Sequence, residues 1–350
     1  MELVERLRAW SYVRQRLAQP ARTPEEALRD VVAVYATHPT APLALRARTR
    51  SLSAVAYRRL DRDRKALRIP GMRGTIFLVP RDSAARVFTA VRPPAARVLR
   101  ALKRHDFSAR DYERFAGRIL AAAREPSPPE RLQDAAGIKG ASLGTVLRCL
   151  RYEGRLLALA GNSLNMSGHR YVAVSAWAPD ALDAGDPSDE LAWLAGQYLH
   201  AYGPARLEDF AWWAGVTKRA ASKAVEAQEV VDLGGGLLLP AAHEARFGRA
   251  RRARGTVDLL PKWDPYTMGH APDGRQRFVH PDVQQRVYTP IGVGLPGDGN
   301  PVVLVDGRAV ATWTYSLKHG ADVQPFDSLG PTVRRKVDAK LEAVAGFLTG

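Results

Sequence analysis

The stretch SLSAVAYRRLDRDRKALRIPGMRGTIFLVP, residues 51–80, decides the fold. Residues 51–63 predict a helix, and the remainder places Gly71 and Gly74 between apolar flanks that are typical of strands. Glycines between two such flanks indicate a tight two-stranded hairpin. The stretch therefore predicts a helix that leads directly into a β-hairpin.

The same order of elements occurs three times along the chain. Helices predicted over 24–36 and 41–50 precede the opening stretch. Comparable helices followed by a hairpin are predicted over 128–177 and again over 189–240. Two helices with a short joint and then a hairpin form the winged-helix pattern, in which one helix enters a nucleic-acid groove.

The predicted fold class is α+β, with three tandem winged-helix domains followed by a C-terminal β-barrel-like domain. After Phe247 the sequence changes to strand-like runs, and Asp306-Gly307 between apolar flanks is a strong hairpin signal. A helix from about Pro331 to Leu348 closes this last domain. The predicted boundaries are winged helix 1 at 1–80, connecting helices at 81–125, winged helix 2 at 126–180, winged helix 3 at 186–247 and the β-rich domain at 255–350.

The positive charge is unevenly distributed along the chain. The formal net charge is +16, and nearly all of the excess lies in the first 125 residues. Ten basic residues fall between Arg46 and Arg73, against the two acids Asp61 and Asp63. An arginine-rich coding bias is the alternative explanation, but it would spread the excess over the whole chain. The distribution predicts a surface that binds polyanions, nucleic acid first.

Composition also excludes several classes of protein. The apolar runs are far shorter than the roughly 18 residues that a membrane span needs. The N-terminus is typical of neither a signal peptide nor a transit peptide. The single cysteine, Cys149, excludes an internal disulfide and a cysteine-cluster zinc site, and the histidines lack metal-ligand spacing. We expect a cytoplasmic, nucleoid-associated monomer without metal or cofactor.

Four motifs occur in the order found in one known family. They are MRGTIFLVP (72–80), GPARLEDFAWWAG (203–215), LLPKWDPYTMGH (259–270) and PVVLVDGRAVATW (301–313). From about Arg14 to Trp313 the chain resembles the AlkZ/YcaQ-type winged-helix DNA glycosylases. The resemblance implies a concave basic cleft that excises bulky or crosslinking alkyl adducts from DNA, in some members as self-resistance to a genotoxic antibiotic.

The segment VVAVYATHPTAP, residues 31–42, lies where that family carries its catalytic motif, Gln–apolar–Gln or Gln–apolar–Asp. On this resemblance Tyr35 falls on the first glutamine, Thr37 on the second catalytic position and His38 on the acid that follows. Both usual catalytic side chains are replaced. The family's activity therefore does not transfer to this chain by resemblance alone.

Hydrolysis of an N-glycosidic bond needs a positioned water and a group that accepts its proton. Tyr35 and Thr37 can position water through their hydroxyls. His38, with an unperturbed pKa of about 6.5, is the candidate base, and no carboxylate lies between Val31 and Pro42. These three residues are the predicted catalytic group.

The same residues are also typical of an ordinary helix start. Pro39 or Pro42 would lie in the first turn, with Thr37 or Thr40 as the N-cap. In that interpretation His38 is a solvent-facing loop residue without a chemical role.

The remaining candidate residues belong to two surfaces. Each residue also has an interpretation without a function. The arginines could be solvated surface residues, the hairpin residues could form an ordinary polar wing, and the aromatic residues could belong to a core. The predicted adduct or base pocket comprises Trp263, Asp264 and Tyr266, whose rings could stack on an extruded base. The predicted DNA-binding residues are Arg46, Arg48, Arg50, Arg58, Arg59, Arg62, Arg73, Asn165 and Arg170.

Three functions remain open from the sequence, the third of which is an RNA-binding module. The first is a monofunctional DNA glycosylase that removes bulky N-alkylpurine adducts from alkylated double-stranded DNA. Because the catalytic segment contains no lysine for a Schiff base, we expect base removal without strand cleavage. The alternative is a catalytically silent winged-helix protein that binds DNA or sequesters adducts.

Overall fold

A computed structural model describes residues 1–166, 168–291 and 295–350 of the chain. Helices dominate the first 250 residues, and the remainder contains both strands and helices. The helices are α1 (Leu3–Arg14), α2 (Pro24–Asp30), α3 (Thr40–Arg48), α4 (Ala54–Arg62), α5 (Arg81–Val91), α6 (Ala95–Lys103), α7 (Ala109–Ala122), α8 (Pro129–Ala136), α9 (Gly140–Tyr152), α10 (Val174–Trp177), α11 (Pro187–Tyr202), α12 (Leu207–Ala214), α13 (Lys218–Glu226), α14 (Glu244–Gly248), α15 (Pro265–Met268), α16 (Gln284–Val287) and α17 (Pro331–Thr349).

The strands pair in antiparallel fashion. They form sheets in the orders β1-β3-β2-β4-β5, β6-β7, β9-β10 and β13-β12-β11-β8. The strands are β1 (Val34–Tyr35), β2 (Ala66–Pro70), β3 (Ile76–Pro80), β4 (Leu156–Ala160), β5 (His169–Ala173), β6 (Val230–Asp232), β7 (Leu238–Pro240), β8 (Val257–Leu260), β9 (Tyr288–Ile291), β10 (Leu295–Gly299), β11 (Val302–Val305), β12 (Arg308–Ser316) and β13 (Gly320–Pro325).

Residues 51–80 form the helix and hairpin that their sequence predicts. Ser53 starts α4, because its hydroxyl accepts a hydrogen bond from the amide of Ala56 (3.1 Å). The hairpin pairs β2 with β3, and Gly74 at its tip has a φ of 72°, which glycine adopts without steric cost. Helices followed by a hairpin recur as α8–α9 with β4–β5, and as α11–α13 with β6–β7.

The helix predicted over 24–36 is wrong beyond Asp30. Val32 has a φ of 68°, a left-handed conformation that cannot continue a right-handed helix. The chain then extends, and Val34 and Tyr35 pair with β3 as an edge strand. Val34 and Tyr35, which were predicted at the end of a helix, therefore lie at the edge of the five-stranded sheet.

The first two hairpins share one sheet, since Arg68 of β2 pairs with Ala158 of β4. One face of this sheet packs on α5 and α11, in a core that includes Leu157, Tyr198 and Phe210. A second core joins the first three-helix unit to β8, β12 and α17. Both cores meet at the segment between α2 and α3, which is therefore fixed from two sides.

The C-terminal part does not form the predicted barrel. Within the described residues, β8 and β11–β13 make an open four-stranded sheet, β9 and β10 pair separately, and no closed barrel is found. The predicted closing helix is present as α17, which packs on β8. The predicted Asp306-Gly307 turn is confirmed, because both residues have positive φ (52° and 79°), as this hairpin type requires. In the described part of the chain no helix is long and apolar enough to cross a membrane.

Candidate active site and nucleic-acid surface

Between α2 and α3, strand β1 covers Val34 and Tyr35, and the chain bends at Thr37 before it turns into α3. Side chains of an extended segment alternate between two faces. Val34, Ala36 and His38 are buried, whereas Tyr35 and Thr37 are half-exposed. The three predicted catalytic residues therefore separate, with Tyr35 and Thr37 on the open face and His38 inside the protein.

The ring of Tyr35 lies against two other aromatic rings. Its centroid is 4.7 Å from that of Phe77 across the β1–β3 pair, and 5.1 Å from that of Trp263 with an interplanar angle of 31°. Trp263 is half-exposed and comes from the segment directly before α15. We call Tyr35, Phe77 and Trp263 the aromatic cluster, which brings together two motifs that are more than 200 residues apart.

Arg48 and Asp264 pair with each other inside the protein, so neither can have its predicted role. Both side chains are fully buried, with Nη1 2.8 Å from Oδ2 and Nη2 2.6 Å from Oδ1. Asp264 also accepts the amide of Tyr266 at the start of α15 (2.9 Å). A buried, bidentate pair cannot contact DNA or line an open pocket. It instead fixes the position of the adjacent Trp263.

Tyr266 is likewise a core residue and not part of a base pocket. Its side chain is buried, its hydroxyl donates to the carbonyl of Gly307 (2.7 Å), and its ring lies 4.3 Å from that of Phe278. Of the three predicted pocket residues, Trp263 alone reaches the open face.

Asp298, a residue that the sequence did not predict for the site, holds the indole of Trp263 in place. The indole Nε1 of Trp263 donates to Oδ1 of Asp298 (2.8 Å), and Nζ of Lys262 lies 2.8 Å from Oδ2. Burial opposes ionisation of Asp298, but the hydrogen bonds from Lys262 and Trp263 hold its pKa below the usual value. Asp298 belongs to no motif, so the sequence carried no signal for it.

Thr37 has a hydroxyl that the protein leaves unused. Its Oγ1 is buried and has no hydrogen-bond partner among the residues that the structure describes. Buried hydroxyls are normally paired, and an exception calls for a functional or solvent partner. The atom lies beneath the surface next to Tyr35, so its free capacity serves an enclosed water rather than an atom on the open face.

His38 lies in a buried hydrogen-bond chain. Its Nδ1 donates to the carbonyl of Ser163 (2.7 Å), and its Nε2 accepts from the hydroxyl of Tyr57 (2.9 Å). The Tyr57 hydroxyl in turn accepts from Nη2 of Arg68 (2.8 Å), which pairs with Asp61 (2.9 Å). The chain connects α4, β2 and the loop of the second hairpin.

The predicted role of His38 as a general base does not fit this environment. The side chain is 6% exposed, and burial and then the charge of Arg68 lower its pKa to about 3. A base must have a free lone pair within reach of the proton that it accepts. Here Nδ1 carries its proton and the lone pair of Nε2 already accepts from Tyr57.

The alternative of an ordinary helix start holds for Pro42, which lies in the first turn of α3, but it is wrong for the caps and for His38. Pro39 is the N-cap of α3, and no side chain caps this helix. Neither Thr37 nor Thr40 therefore acts as the N-cap. His38 is buried and not solvent-facing. The segment is thus neither the predicted base site nor a plain capped joint.

The predicted DNA-binding arginines of α3 and α4 differ in availability. Arg46 donates to the carbonyls of Leu52 and Ala343, and Arg58 to those of Asn162 and Gly350. These bonds tie α3 and α4 to α17 and to the second hairpin. The exposed members are Arg50, which follows α3 and donates to the carbonyl of Pro20 (3.4 Å), and Arg59 and Arg62 of α4, of which Arg62 pairs with exposed Asp63 at 2.8 Å.

The other predicted DNA contacts lie on two hairpins. Arg73 is half-buried, with its guanidinium 4.1 Å from the ring centre of Trp212. Asn165 is half-exposed in the loop between β4 and β5, and Arg170 is exposed and donates to the carbonyl of Pro126. Contact with DNA remains a prediction for all three.

The comparisons with known proteins identify the family. Residues 28–347 match the family described as DNA glycosylase AlkZ-like. The chain belongs to this AlkZ-like family. Its fold is similar to that of the DNA glycosylase AlkZ from Streptomyces sahachiroi, with a TM-score of 0.76 over 98% of this chain and 97% of that chain. The two sequences are 18% identical, so this likeness shows a shared fold. No curated protein matches the chain.

The family resemblance drawn from four sequence motifs is thereby confirmed, and membership of the AlkZ-like family implies DNA binding. Within residues 1–166, 168–291 and 295–350, no group of three or more histidine, cysteine, aspartate or glutamate residues could hold a metal ion.

Proposed function

We propose that this AlkZ-like protein is a monofunctional DNA glycosylase that hydrolyses the N-glycosidic bond of bulky or crosslinking N-alkylpurine adducts. The observation that carries the proposal is the contact of Tyr35 with Trp263, beside the buried Thr37 hydroxyl that has no partner in the described chain. By the sequence resemblance, this segment falls where the family carries its catalytic motif.

The chemistry that we propose uses leaving-group activation and a positioned water. Alkylation at N7 makes the purine cationic, so the electron pair of the C1′–N9 bond moves to N9 and the base leaves without a protein acid. Thr37 Oγ1, with the Tyr35 hydroxyl, orients the water whose oxygen bonds to C1′. The proton of that water passes to solvent. The half-exposed Trp263 ring stacks on the extruded base or on an aromatic adduct.

In this proposal the protein binds the duplex as a monomer through three winged-helix units. The exposed arginines Arg50, Arg59 and Arg170 contact phosphates. The units correspond to the recurring helices and hairpins. His38 does not touch the reacting atoms. It holds the segment in place, so that Tyr35 and Thr37 face outward.

The test is base release from a duplex that carries one N7-methylguanine. We expect free 7-methylguanine, an abasic site that alkali cleaves, and no strand break before alkali is added. The unmodified duplex is the matched substrate control. A strand break without alkali would contradict the monofunctional mechanism.

One observation favours the silent alternative. No carboxylate of the described residues hydrogen-bonds to the side chain of Tyr35 or Thr37, and Asp30 on α2 pairs with Arg16 (2.6 Å) instead. A protein that binds alkylated duplex tightly, with strong salt dependence and no base release, would be an adduct-sequestering protein.

A further inference from the structure

A groove beside the first hairpin is lined by arginines that lack acidic partners. Its volume is about 410 Å³, and it lies between the hairpin tip, the α5–α6 connection and the starts of α11 and α13. Three of its lining residues are Arg73, Arg92 and Arg97, and none of its lining residues is acidic. We call it the arginine groove.

The guanidinium groups of these three arginines contact carbonyls and aromatic rings, which do not neutralise their charge. Arg92 donates to the carbonyls of Tyr152 and Glu153 (3.3 and 3.0 Å). Arg97 lies 5.2 Å from the ring centre of Tyr152 and donates to the carbonyl of Arg73 (3.5 Å). Among the described residues none of the three arginines pairs with a carboxylate. Carbonyls and rings orient a cation but do not neutralise it.

Arg73 has a buried nitrogen that the protein does not use. Its guanidinium lies 4.1 Å from the ring centre of Trp212, and its Nε is buried without a hydrogen-bond partner in the described chain. The guanidinium of Arg275 is a second cation against the same ring, 4.8 Å from the ring centre of Trp212. Arg275 is fully buried, and both its Nη atoms lack partners in the described residues.

Buried cations without counter-ions cost free energy, because they lose hydration and gain no opposite charge. Burial lowers the pKa of both Arg73 and Arg275, and the charge of Arg73 also acts to lower the pKa of Arg275. An anion in the groove would reduce this cost at Arg73, which lines it.

We propose that the arginine groove binds the phosphodiester backbone of a DNA strand, at a site separate from the aromatic cluster. The proposal rests on the proposed function only for the identity of the ligand as DNA. The same hairpin that carries Arg73 places Phe77 against Tyr35, so a strand leaving the aromatic cluster can continue along the groove. Its apolar lining, which includes Pro93, Pro94 and Val216, suits the sugars between phosphates.

The experiment measures DNA binding by fluorescence anisotropy between 50 and 200 mM salt, using a duplex with a stable abasic analogue. The test variant is Arg92→Gln/Arg97→Gln, whose side chains are exposed and therefore tolerate substitution. The matched control is Arg334→Gln/Arg335→Gln, which removes the same charge from exposed positions on α17. Circular dichroism checks that both variants fold.

We expect the slope of log K against log salt to fall in magnitude by about 1.8 in the test variant, since each lost phosphate contact is worth about 0.9. The control should keep the wild-type slope. Equal slopes in the test variant and the wild type, or equal losses in both variants, would overturn the proposal. Base release is not part of this readout, so a protein that shows the slope change but releases no base refutes the proposed function alone.

A second arm distinguishes DNA from a free phosphorylated molecule, using thermal unfolding with inorganic phosphate and with thymidine monophosphate. For a DNA-backbone site we expect neither probe to stabilise the wild type more than the test variant. Stabilisation of the wild type alone by thymidine monophosphate, with an unchanged DNA slope, would assign the groove to a free phosphate ester and overturn the proposal.

Discussion

Replacing His38 by asparagine should make the protein less sensitive to acid. In the folded state burial, and then the charge of Arg68, hold the His38 pKa at about 3, whereas an unfolded histidine titrates at about 6.5. Between these values the unfolded chain binds more protons, so stability falls as the pH falls. From pH 7 to pH 5 this histidine alone removes about 2 kcal/mol from the free energy of unfolding.

Urea unfolding followed by circular dichroism at pH 7 and pH 5 measures this difference. The His38→Asn variant can keep the bond to the Ser163 carbonyl, but it has no imidazole to titrate. It should lose about 2 kcal/mol less than the wild type over this pH range. His319→Asn, at an exposed position, is the control and should match the wild type. An equal acid loss in His38→Asn and wild type would refute the buried, neutral assignment.

Three further outcomes follow from the described contacts. Asp264→Asn should lower the free energy of unfolding by about 3–5 kcal/mol in urea titrations, because it leaves the Arg48 charge buried without its partner; a loss below 1 kcal/mol would contradict the pair. Arg59→Gln should reduce the salt slope of DNA binding by about 1, whereas an unchanged slope would remove Arg59 from the interface. Tyr35→Phe keeps the ring contact with Trp263, so it should slow base release while leaving the urea midpoint unchanged.

Local sequence signals were sufficient for much of the fold. Gly74 at the tip of the β2–β3 hairpin, and Asp306-Gly307 in the β11–β12 turn, adopt left-handed conformations that glycine and aspartate tolerate best, so these turns are visible in the sequence. The end of α2 was not visible. Val32 is left-handed in the structure although valine strongly disfavours that conformation, so tertiary packing overrides its local preference.

The barrel prediction failed for a similar reason. Strand-like runs after residue 255 correctly indicated strands, but whether such strands close depends on edge pairing that no local pattern encodes. The open sheet is covered by α17 instead.

For the site, the sequence located the segment but could not orient it. Tyr35, Thr37 and His38 look equivalent in the sequence, and only the burial of His38 and its hydrogen bonds show that it points inward. The burial of Arg48 and Asp264 could not be predicted either, because the two residues that pair are 216 residues apart in the sequence. Asp298 went unnoticed because its importance comes entirely from its contact with Trp263.

The most direct test of the account is the single-turnover rate of base release by Thr37→Val on a duplex containing N7-methylguanine. Valine keeps the shape of threonine and removes the unpartnered hydroxyl. We predict release by the wild type, and a rate about tenfold lower in Thr37→Val at unchanged DNA affinity, since one hydrogen bond is worth about 1–1.5 kcal/mol. Release by Thr37→Val at the wild-type rate, or no release by the wild type, would contradict the central claim.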